Sequence, residues 1–205
     1  MTLALIDYQA GNLHSVANAL AAAGCADLAV TADPAAVARA DRIVLPGVGA
    51  FGACAAALRG VPGLVEALER RVLGEAAPFL GICVGMQLMA DAGEEHGTHA
   101  GLGWIPGRVR RLDPGATEAK VPHMGWNDVV PLADHPLIVR GEAYFLHSYA
   151  FEGAGDRDSV VATTDHAGPV TAAVARDNLV GVQFHPEKSQ RYGLALLERF
   201  LAWKP

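Results

Sequence analysis

The sequence is poor in charge, in aromatic side chains and in cysteine. Charged residues make up 19% and aromatic residues 6% of its 205 positions, and the formal net charge is −6. A surface that binds nucleic acid needs a basic excess, so we do not expect nucleic acid as a partner. The three cysteines, Cys25, Cys54 and Cys83, are an odd number without framework spacing, which argues against a disulfide-stapled fold.

Long apolar runs and targeting signals are also missing. No run approaches the ~18 residues that a membrane-spanning helix needs, and the N-terminus lacks a basic segment followed by a cleavage site. We therefore expect a cytoplasmic protein in a reducing compartment, without a membrane partner.

Apolar side chains are abundant, at 51% of positions, which is enough for the core of one sizeable domain. We predict a single domain over residues 1–205. In the first half, short apolar runs at residues 3–6, 28–31, 42–45 and 79–82 alternate with helical periodicity. This alternation is typical of an α/β fold with a doubly wound, mostly parallel sheet flanked by helices. Such sheets bind ligands at the carboxyl ends of their strands.

The second half predicts an antiparallel extension of that sheet. Residues 93–103 are predicted to form a polar, glycine-rich loop, and residues 192–203 a final helix. Between them, strands separated by turn residues are predicted over residues 108–112, 127–130, 144–151, 159–164, 170–175 and 179–184.

The most informative stretch is Gly81-Ile82-Cys83-Val84-Gly85, which joins a predicted strand to a helix-compatible segment. This is the pattern of a nucleophile elbow with cysteine in place of serine. Glycines on both sides let neighbouring backbone approach closely, and a helix N-terminus favours thiolate over thiol. The alternative is an inert core cysteine. The flanking glycines favour the nucleophile.

A candidate base lies far downstream, in His185-Pro186-Glu187 at the end of another predicted strand. An imidazole that accepts and returns a proton needs a group that orients its other nitrogen. Residues two apart on extended backbone point the same way, so Glu187 can serve His185. Taken alone, the pattern favours a surface turn with a solvated charge, but the elbow in the same chain makes a catalytic triad the better interpretation.

The segment Pro46-Gly47-Val48-Gly49, which we name the oxyanion arm, follows a predicted strand and should open onto the same edge as Cys83. It is either a plain turn or a loop whose main-chain N–H groups stabilise an oxyanion. Cys25 and Cys54 are interpreted as packing residues. The remaining histidines have no ligand spacing, so we interpret them as surface residues and predict no metal: His14, His96, His99, His135 and His166.

These motifs together resemble the triad-type, class I glutamine amidotransferases. Further strings, in the right order, resemble the glutaminase subunits of imidazole glycerol phosphate synthases, and the similarity spans essentially the whole chain. They are Asp7-Tyr8, Gly11-Asn12, Pro46-Gly47-Val48-Gly49-Ala50-Phe51, Val121-Pro122-His123-Met124-Gly125-Trp126-Asn127, Tyr144-Phe145-Leu146-His147-Ser148-Tyr149 and Gln183-Phe184-His185-Pro186-Glu187-Lys188-Ser189. Two departures are Val84, where that family usually has leucine, and Gln9, where glycine is common.

The resemblance implies a glutaminase that needs no cofactor. Cys83 attacks the side-chain amide of glutamine, His185 transfers the proton and Glu187 orients His185. The implied oxyanion hole consists of main-chain N–H groups at Val48, Gly49 and Val84. The implied substrate-binding residues are Gly47, Gln87, Glu95, Ser148 and Tyr149, where the Glu95 carboxylate suits an α-ammonium group.

The resemblance also implies a partner in histidine biosynthesis. Ammonia becomes unreactive ammonium in neutral water, so it must reach its acceptor by a shielded path. The implied partner is a (β/α)8-barrel cyclase, which forms a heterodimer with the glutaminase and makes imidazole glycerol phosphate and an aminoimidazole carboxamide ribonucleotide. The candidate interface residues are Asn12, His123, Met124, Trp126 and Lys188. Core packing is the alternative for Met124 and Trp126, and a solvated charge for Lys188.

Three other functions fit part of the pattern. A class I glutaminase that serves pyridoxal phosphate, anthranilate or nucleotide synthesis would share the triad. A cysteine peptidase or deglycase would not need Gln87 or Glu95. A non-enzymatic relative would not need the intact set of Cys83, His185 and Glu187.

Overall fold

The computed structural model describes residues 1–153 and 159–205. The strands are β1 (Leu3–Ile6), β2 (Leu28–Thr31), β3 (Arg42–Gly47), β4 (Phe79–Cys83), β5 (Ala92–Gly93), β6 (His99–Ala100), β7 (Gly107–Arg111), β8 (His123–Pro131), β9 (Gly141–His147), β10 (Tyr149–Gly153), β11 (Val160–Asp165), β12 (Pro169–Arg176) and β13 (Leu179–Val182). The helices are α1 (Leu13–Ala22), α2 (Pro34–Val37), α3 (Phe51–Gly60), α4 (Leu64–Glu69), which continues as a π-helical turn (Arg70–Gly74), α5 (Val84–Gln87) and α6 (Gln190–Ala202).

The predicted parallel sheet with an antiparallel extension is confirmed. The strands lie in the order β2-β1-β3-β4-β13-β12-β11-β8-β9. The pairs from β2 to β13 are parallel, and the pairs from β13 to β9 are antiparallel. Because β4 lies between β3 and β13, the carboxyl ends of three adjacent parallel strands meet at one edge. This edge carries the oxyanion arm, the elbow and the histidine motif.

A second sheet, in the order β10-β7-β5-β6, was not predicted. Two of its strands, β5 and β6, are only two residues long; β5 overlaps the start of the predicted loop over residues 93–103, and β6 lies within it. Strands this short carry no readable periodicity. The predicted strand over residues 144–151 is in fact two strands, β9 and β10, which are separated at Ser148. At this break the chain passes from the first sheet into the second.

The third strand is longer than predicted. Pro46 pairs with Ile82 and Gly47 with Cys83, so two residues expected to end the strand belong to it. Proline fits there because its fixed φ is compatible with extended backbone. The oxyanion arm is therefore continuous with β3 and adjoins the end of β4.

Two amphipathic helices cover the sheet behind the histidine motif. α1 buries Val16 and Leu20, and α6 buries Leu197 and Phe200. The two helices contact each other, and both contact the 3-10 turn Pro186–Lys188. Among the described helices none is long and apolar enough to cross a membrane alone; Phe51–Gly60 and Leu64–Gly74 pass such a test only together, as a pair bent by 93°.

Candidate active site

Cys83 lies at the sharp turn between β4 and α5. Its backbone angles, φ of 53° and ψ of −113°, lie outside the regions that residues other than glycine normally adopt. Such strain is expected of a nucleophile elbow. A Cβ atom on Gly81 would lie 2.8 Å from the Gly85 carbonyl oxygen, and one on Gly85 would lie 1.9 Å from the Leu45 carbonyl oxygen. The predicted close backbone approach at both glycines is therefore present.

The histidine motif has the geometry of a base and its orienting acid. Glu187 Oε1 lies 2.8 Å from His185 Nδ1, and the two side chains are 2% and 3% exposed. The Ser189 hydroxyl donates to the His185 carbonyl oxygen at 2.7 Å, which holds the turn that carries both residues. Because Nδ1 is bonded to the carboxylate, Nε2 is the nitrogen available to Cys83.

His185 and Cys83 also line one and the same pocket, close enough for Cys83 to raise the pKa of His185. Burial alone would lower the pKa of His185, but the neighbouring Cys83 and the hydrogen-bonded carboxylate of Glu187 raise it from 6.5 to about 9. The imidazolium form is therefore favoured at neutral pH. This form can donate a proton to a leaving amine.

Gln183 is a site residue that the sequence reasoning missed. Its side chain is fully buried, and Nε2 lies 3.6 Å from Cys83 Sγ, within the range of a bond to sulfur. Its Oε1 accepts from Gln87 Nε2 at 2.9 Å. A buried glutamine in an otherwise apolar strand was the available signal, because buried amides must find partners.

The predicted oxyanion-hole residues lie around one pocket of about 320 Å³. Cys83 and His185 form part of its wall, together with Val48, Gly49 and Val84. A side-chain hydrogen bond holds the oxyanion arm in place. Tyr8 Oη donates to the Pro46 carbonyl oxygen at 2.7 Å.

Cys54 contacts the same arm. Its thiol donates to the Val48 carbonyl oxygen at 3.3 Å, and burial raises its pKa to about 11, so it remains a neutral donor. Cys25 is also buried, and all three cysteines are free. The packing interpretation of Cys25 and Cys54 is therefore confirmed, and Cys54 adds a bond to the arm.

Most of the predicted substrate-binding residues line this pocket: Gln87, Glu95, Ser148 and Tyr149. Glu95 Oε2 accepts from the Phe51 main-chain N–H at 2.8 Å, which anchors the carboxylate at the start of α3. Gln87 Nε2 donates to the Tyr149 carbonyl oxygen at 2.9 Å. Gly47 is a buried residue of the oxyanion arm, where a Cβ would lie 2.7 Å from Tyr8 Oη, and it does not line the pocket.

Sequence comparison identifies the family to which this site belongs. The family model for class-I glutamine amidotransferases matches residues 4–203. Imidazole glycerol phosphate synthase subunit HisH of Zymomonas mobilis is 62% identical over 207 residues, which cover 100% of this chain and 97% of that protein. HisH of Rhodopseudomonas palustris is 49% identical, with 100% of both chains covered. The chain belongs to the HisH family of class-I glutamine amidotransferases. The predicted resemblance is confirmed.

Solved structures support the fold of this HisH-family chain. A structure described as a glutamine amidotransferase has a TM-score of 0.76 at 17% identity and covers 98% of each chain. PurLQS from Thermotoga maritima has a TM-score of 0.72 at 16% identity and covers 98% of this chain and 97% of that chain. At these identities the likeness concerns the fold alone.

The predicted interface residues of this amidotransferase differ in exposure. Met124 is 66% and Trp126 47% exposed, so neither belongs to the core. Lys188 is exposed at the pocket, with Nζ 5.8 Å from the Tyr144 ring centroid. Asn12 is exposed and caps α1. His123 is only 3% exposed, so its interface role remains a prediction.

Three of the five histidines predicted to lie on the surface of this amidotransferase are only partly exposed, namely His99, His135 and His166. His135 packs against Trp203, with 5.7 Å between the ring centroids. His166 is half-buried and stacks on His123, with 4.2 Å between the ring centroids. Its ring packs against another ring although both sequence neighbours, Asp165 and Ala167, are exposed. Among residues 1–153 and 159–205, no three His, Cys, Asp or Glu side chains lie together as a metal-binding group.

Proposed function

We propose that Cys83 hydrolyses glutamine to glutamate and ammonia through a glutamyl thioester, with His185 and Glu187 completing the triad. The observation that carries this proposal is that Cys83 and His185 line the same pocket while Glu187 is hydrogen-bonded to His185 Nδ1 at 2.8 Å. Membership of the glutamine amidotransferase family supplies the reaction class.

The first half-reaction forms the thioester. Cys83 Sγ bonds to the amide carbon of glutamine while the proton of its thiol is held on His185 Nε2. The N–H groups of Val84 and of the arm stabilise the negative oxygen. When the intermediate collapses, the carbon–nitrogen bond breaks and His185 returns its proton to the nitrogen, which leaves as ammonia.

The second half-reaction hydrolyses the thioester. Water gives a proton to His185 as it adds to the carbonyl carbon. The carbon–sulfur bond then breaks, the proton returns to Cys83, and glutamate leaves. The raised pKa of His185 suits the acid step, because the imidazolium is the form that donates.

Ammonia is passed to a cyclase partner in this proposal. The HisH relatives are named as subunits of imidazole glycerol phosphate synthase. Exposed apolar side chains at and beside the pocket support docking here: Val48 and Leu146 line the pocket, and Met124 pairs with Leu146 across β8 and β9. A dry interface at this mouth would shield ammonia from protonation by water. We propose a heterodimer with a (β/α)8-barrel cyclase.

We also propose that residues 1–205 form a single domain in a cytoplasmic setting. One contiguous apolar core includes residues from Leu3 to Trp203, which supports one folding unit. A cysteine nucleophile must stay reduced to attack an amide, which supports a reducing compartment.

The test is glutamate release from glutamine, with and without the cyclase and its ribonucleotide ligand. We expect the cyclase and ligand to stimulate release, and Cys83→Ala to reduce it by at least about 10³-fold. Cys25→Ala, which changes a buried cysteine outside the pocket, is the matched control and should keep normal turnover. Turnover by Cys83→Ala close to that of the unchanged chain would overturn the nucleophile assignment.

A double-mutant cycle tests the shared step. His185→Ala should cost about as much as Cys83→Ala, and the double variant should be hardly worse than either, because the two groups act as a unit. Additive losses would contradict the proposed proton transfer between them.

A further inference from the structure

A row of polar side chains beside the pocket, two of them buried and one half-buried, has no role in the chemistry described above. Asn127 Nδ2 lies 3.0 Å from His123 Nε2. His123 Nδ1 lies 3.0 Å from His147 Nε2, across the β8–β9 pair. His147 Nδ1 lies 2.9 Å from the Tyr149 carbonyl oxygen. We name Asn127, His123 and His147 the imidazole row.

One end of the imidazole row is fixed by the orientation of an amide. Asn127 Nδ2 donates to the Asp165 carbonyl oxygen at 2.8 Å, and Asn127 Oδ1 accepts from the Asp128 main-chain N–H at 2.8 Å. Rotating the amide by 180° would place two acceptors together at the Asp165 carbonyl oxygen and two donors together at the Asp128 main-chain N–H. Asn127 therefore presents a donor to His123 Nε2.

The other end is fixed by a carbonyl oxygen, which can only accept. His147 must carry its proton on Nδ1 to donate to Tyr149. His147 Nε2 is then an acceptor in the neutral ring, so His123 must donate from Nδ1. His123 Nε2 is left as the acceptor that the Asn127 amide requires. All the bonds run in one direction, and both imidazoles are neutral with the proton on Nδ1.

Packing holds the central ring in the plane that these bonds need. His123 lies between the Phe145 ring, with centroids 4.8 Å apart, and the His166 ring, 4.2 Å away. Burial and the charge of His166 lower the pKa of His123 to about 4. Burial is also the main cause that lowers the pKa of His147 to about 3, although its bond to Tyr149 opposes the shift and His123, His166 and His185 add to it. The row is therefore neutral near pH 7.

The row ends at a main-chain oxygen in the wall of the glutamine pocket. The Tyr149 carbonyl accepts from His147 on one side and from Gln87 on the other. Ser148, Tyr149 and His147 itself line the pocket. The break between β9 and β10 falls at Ser148. The Ser148 carbonyl oxygen accepts from the Leu112 N–H at 2.8 Å, and Tyr149 pairs with Arg111 in the second sheet, so the two side-chain bonds to the Tyr149 carbonyl add to this backbone pairing.

We propose that the imidazole row holds the Ser148–Tyr149 main chain in its substrate-binding position by locking His123 and His147 as neutral tautomers protonated on Nδ1. This inference rests on the proposed glutaminase function for its kinetic consequence, but the tautomers themselves do not depend on it. His123, His147 and Asn127 act as positioning residues, because the row acts through the backbone.

The tautomers can be read by long-range ¹H–¹⁵N correlation of the histidine side chains at pH 7. The expected result is protonated Nδ1 and unprotonated Nε2 for both His123 and His147, although a free imidazole prefers the opposite form. In Asn127→Leu, the donor to His123 is gone and we expect its tautomer to become mixed. Observing Nε2-protonated or doubly protonated rings in the unchanged chain would overturn the proposal, whether or not the protein hydrolyses glutamine.

The positioning role is tested by steady-state glutaminase kinetics with the cyclase and its ligand present. A wall that binds substrate equally in the ground and transition states affects KM rather than kcat. We expect His147→Ala to raise KM for glutamine about tenfold, the size of one lost buried hydrogen bond, with kcat within about threefold. His147→Asn places an amide donor near the Nδ1 position and should restore KM to within about threefold.

The comparison of these two variants separates positioning from a general structural effect. Both shorten the same side chain, so a packing defect would raise KM in both. An unchanged KM in His147→Ala, or an equal rise in His147→Asn, would overturn the role assigned to the row.

Discussion

The elbow predicts a large effect of one added methyl group. A Cβ at Gly85 would lie 1.9 Å from the Leu45 carbonyl oxygen and 2.8 Å from the Leu45 carbonyl carbon. Both are backbone atoms of β3, a strand buried between β1 and β4, so no side-chain rotation relieves the contact. Bringing the nearest contact to 3.0 Å requires α5 and β3 to separate by about 1 Å.

This movement has two measurable consequences for Gly85→Ala. Overpacking of this kind costs about 3 kcal/mol or more, and for a chain of this length that lowers Tm by roughly 6–12 °C. Because α5 begins directly after Cys83, the same shift moves the sulfur away from His185. A displacement of about 1 Å at the reacting group costs roughly 10²-fold in rate.

Gly60→Ala is the matched control. Gly60 is the last residue of α3, and a Cβ there would meet no atom within 4 Å. Since alanine is the better helix former, we expect unchanged activity and a free energy of unfolding that is equal or up to about 1 kcal/mol higher. Calorimetry and glutamate release measure both variants. If Gly85→Ala kept Tm within 2 °C and kcat within twofold of the control, the close approach inferred at the elbow would be wrong.

Two further predictions concern stability. The folded-state pKa of His185 is raised to about 9. The stability that this shift contributes is therefore complete below about pH 6.5 and is lost as the pH rises through 9. Urea midpoints should fall between about pH 6 and 10, and His185→Gln should flatten that fall. Parallel curves for the two proteins would refute this assignment. Asn178 Nδ2 donates to the Val72 and Ala77 carbonyl oxygens at 2.9 and 2.7 Å. These bonds lie at the end of the sheet opposite Cys83. Asn178→Ala should therefore lower the free energy of unfolding in urea by about 2–4 kcal/mol while kcat stays unchanged. A similar loss of kcat and stability would contradict the independence of the two ends.

The parallel core could be predicted because its strands are locally unambiguous. Strands that are covered on both faces read as continuous apolar runs, and the bounds predicted for β1 and β2 are those observed. The second sheet could not be predicted in the same way. Its strands β5 and β6 have two residues each, and they exist only because β7 lies beside β5 in the folded chain.

The strand β8 shows where pattern reading fails at a site. Its apolar residues Met124 and Trp126 are exposed, whereas the polar His123 is buried. Burial-based reasoning assigns these residues the other way round, because it assumes that the apolar face is the core face. An inverted pattern of this kind is expected where a strand presents its apolar face to a partner and pairs its polar face internally.

The local motifs alone determined the elbow and the His185–Glu187 pair. Gly81 and Gly85 permit the sharp turn. The predicted bond between Glu187 and His185 is present, but a 3-10 turn over Pro186–Lys188 makes it, and the extended backbone that was predicted there is wrong. No local sequence pattern predicts which strand lies beside β4. The tertiary structure decided it by pairing Val182 with Ile82 in parallel, which brings Gln183 and then His185 level with Cys83. The physical reason is that strand register depends on long-range packing of the whole sheet, whereas turns and helix starts depend on neighbours in the chain.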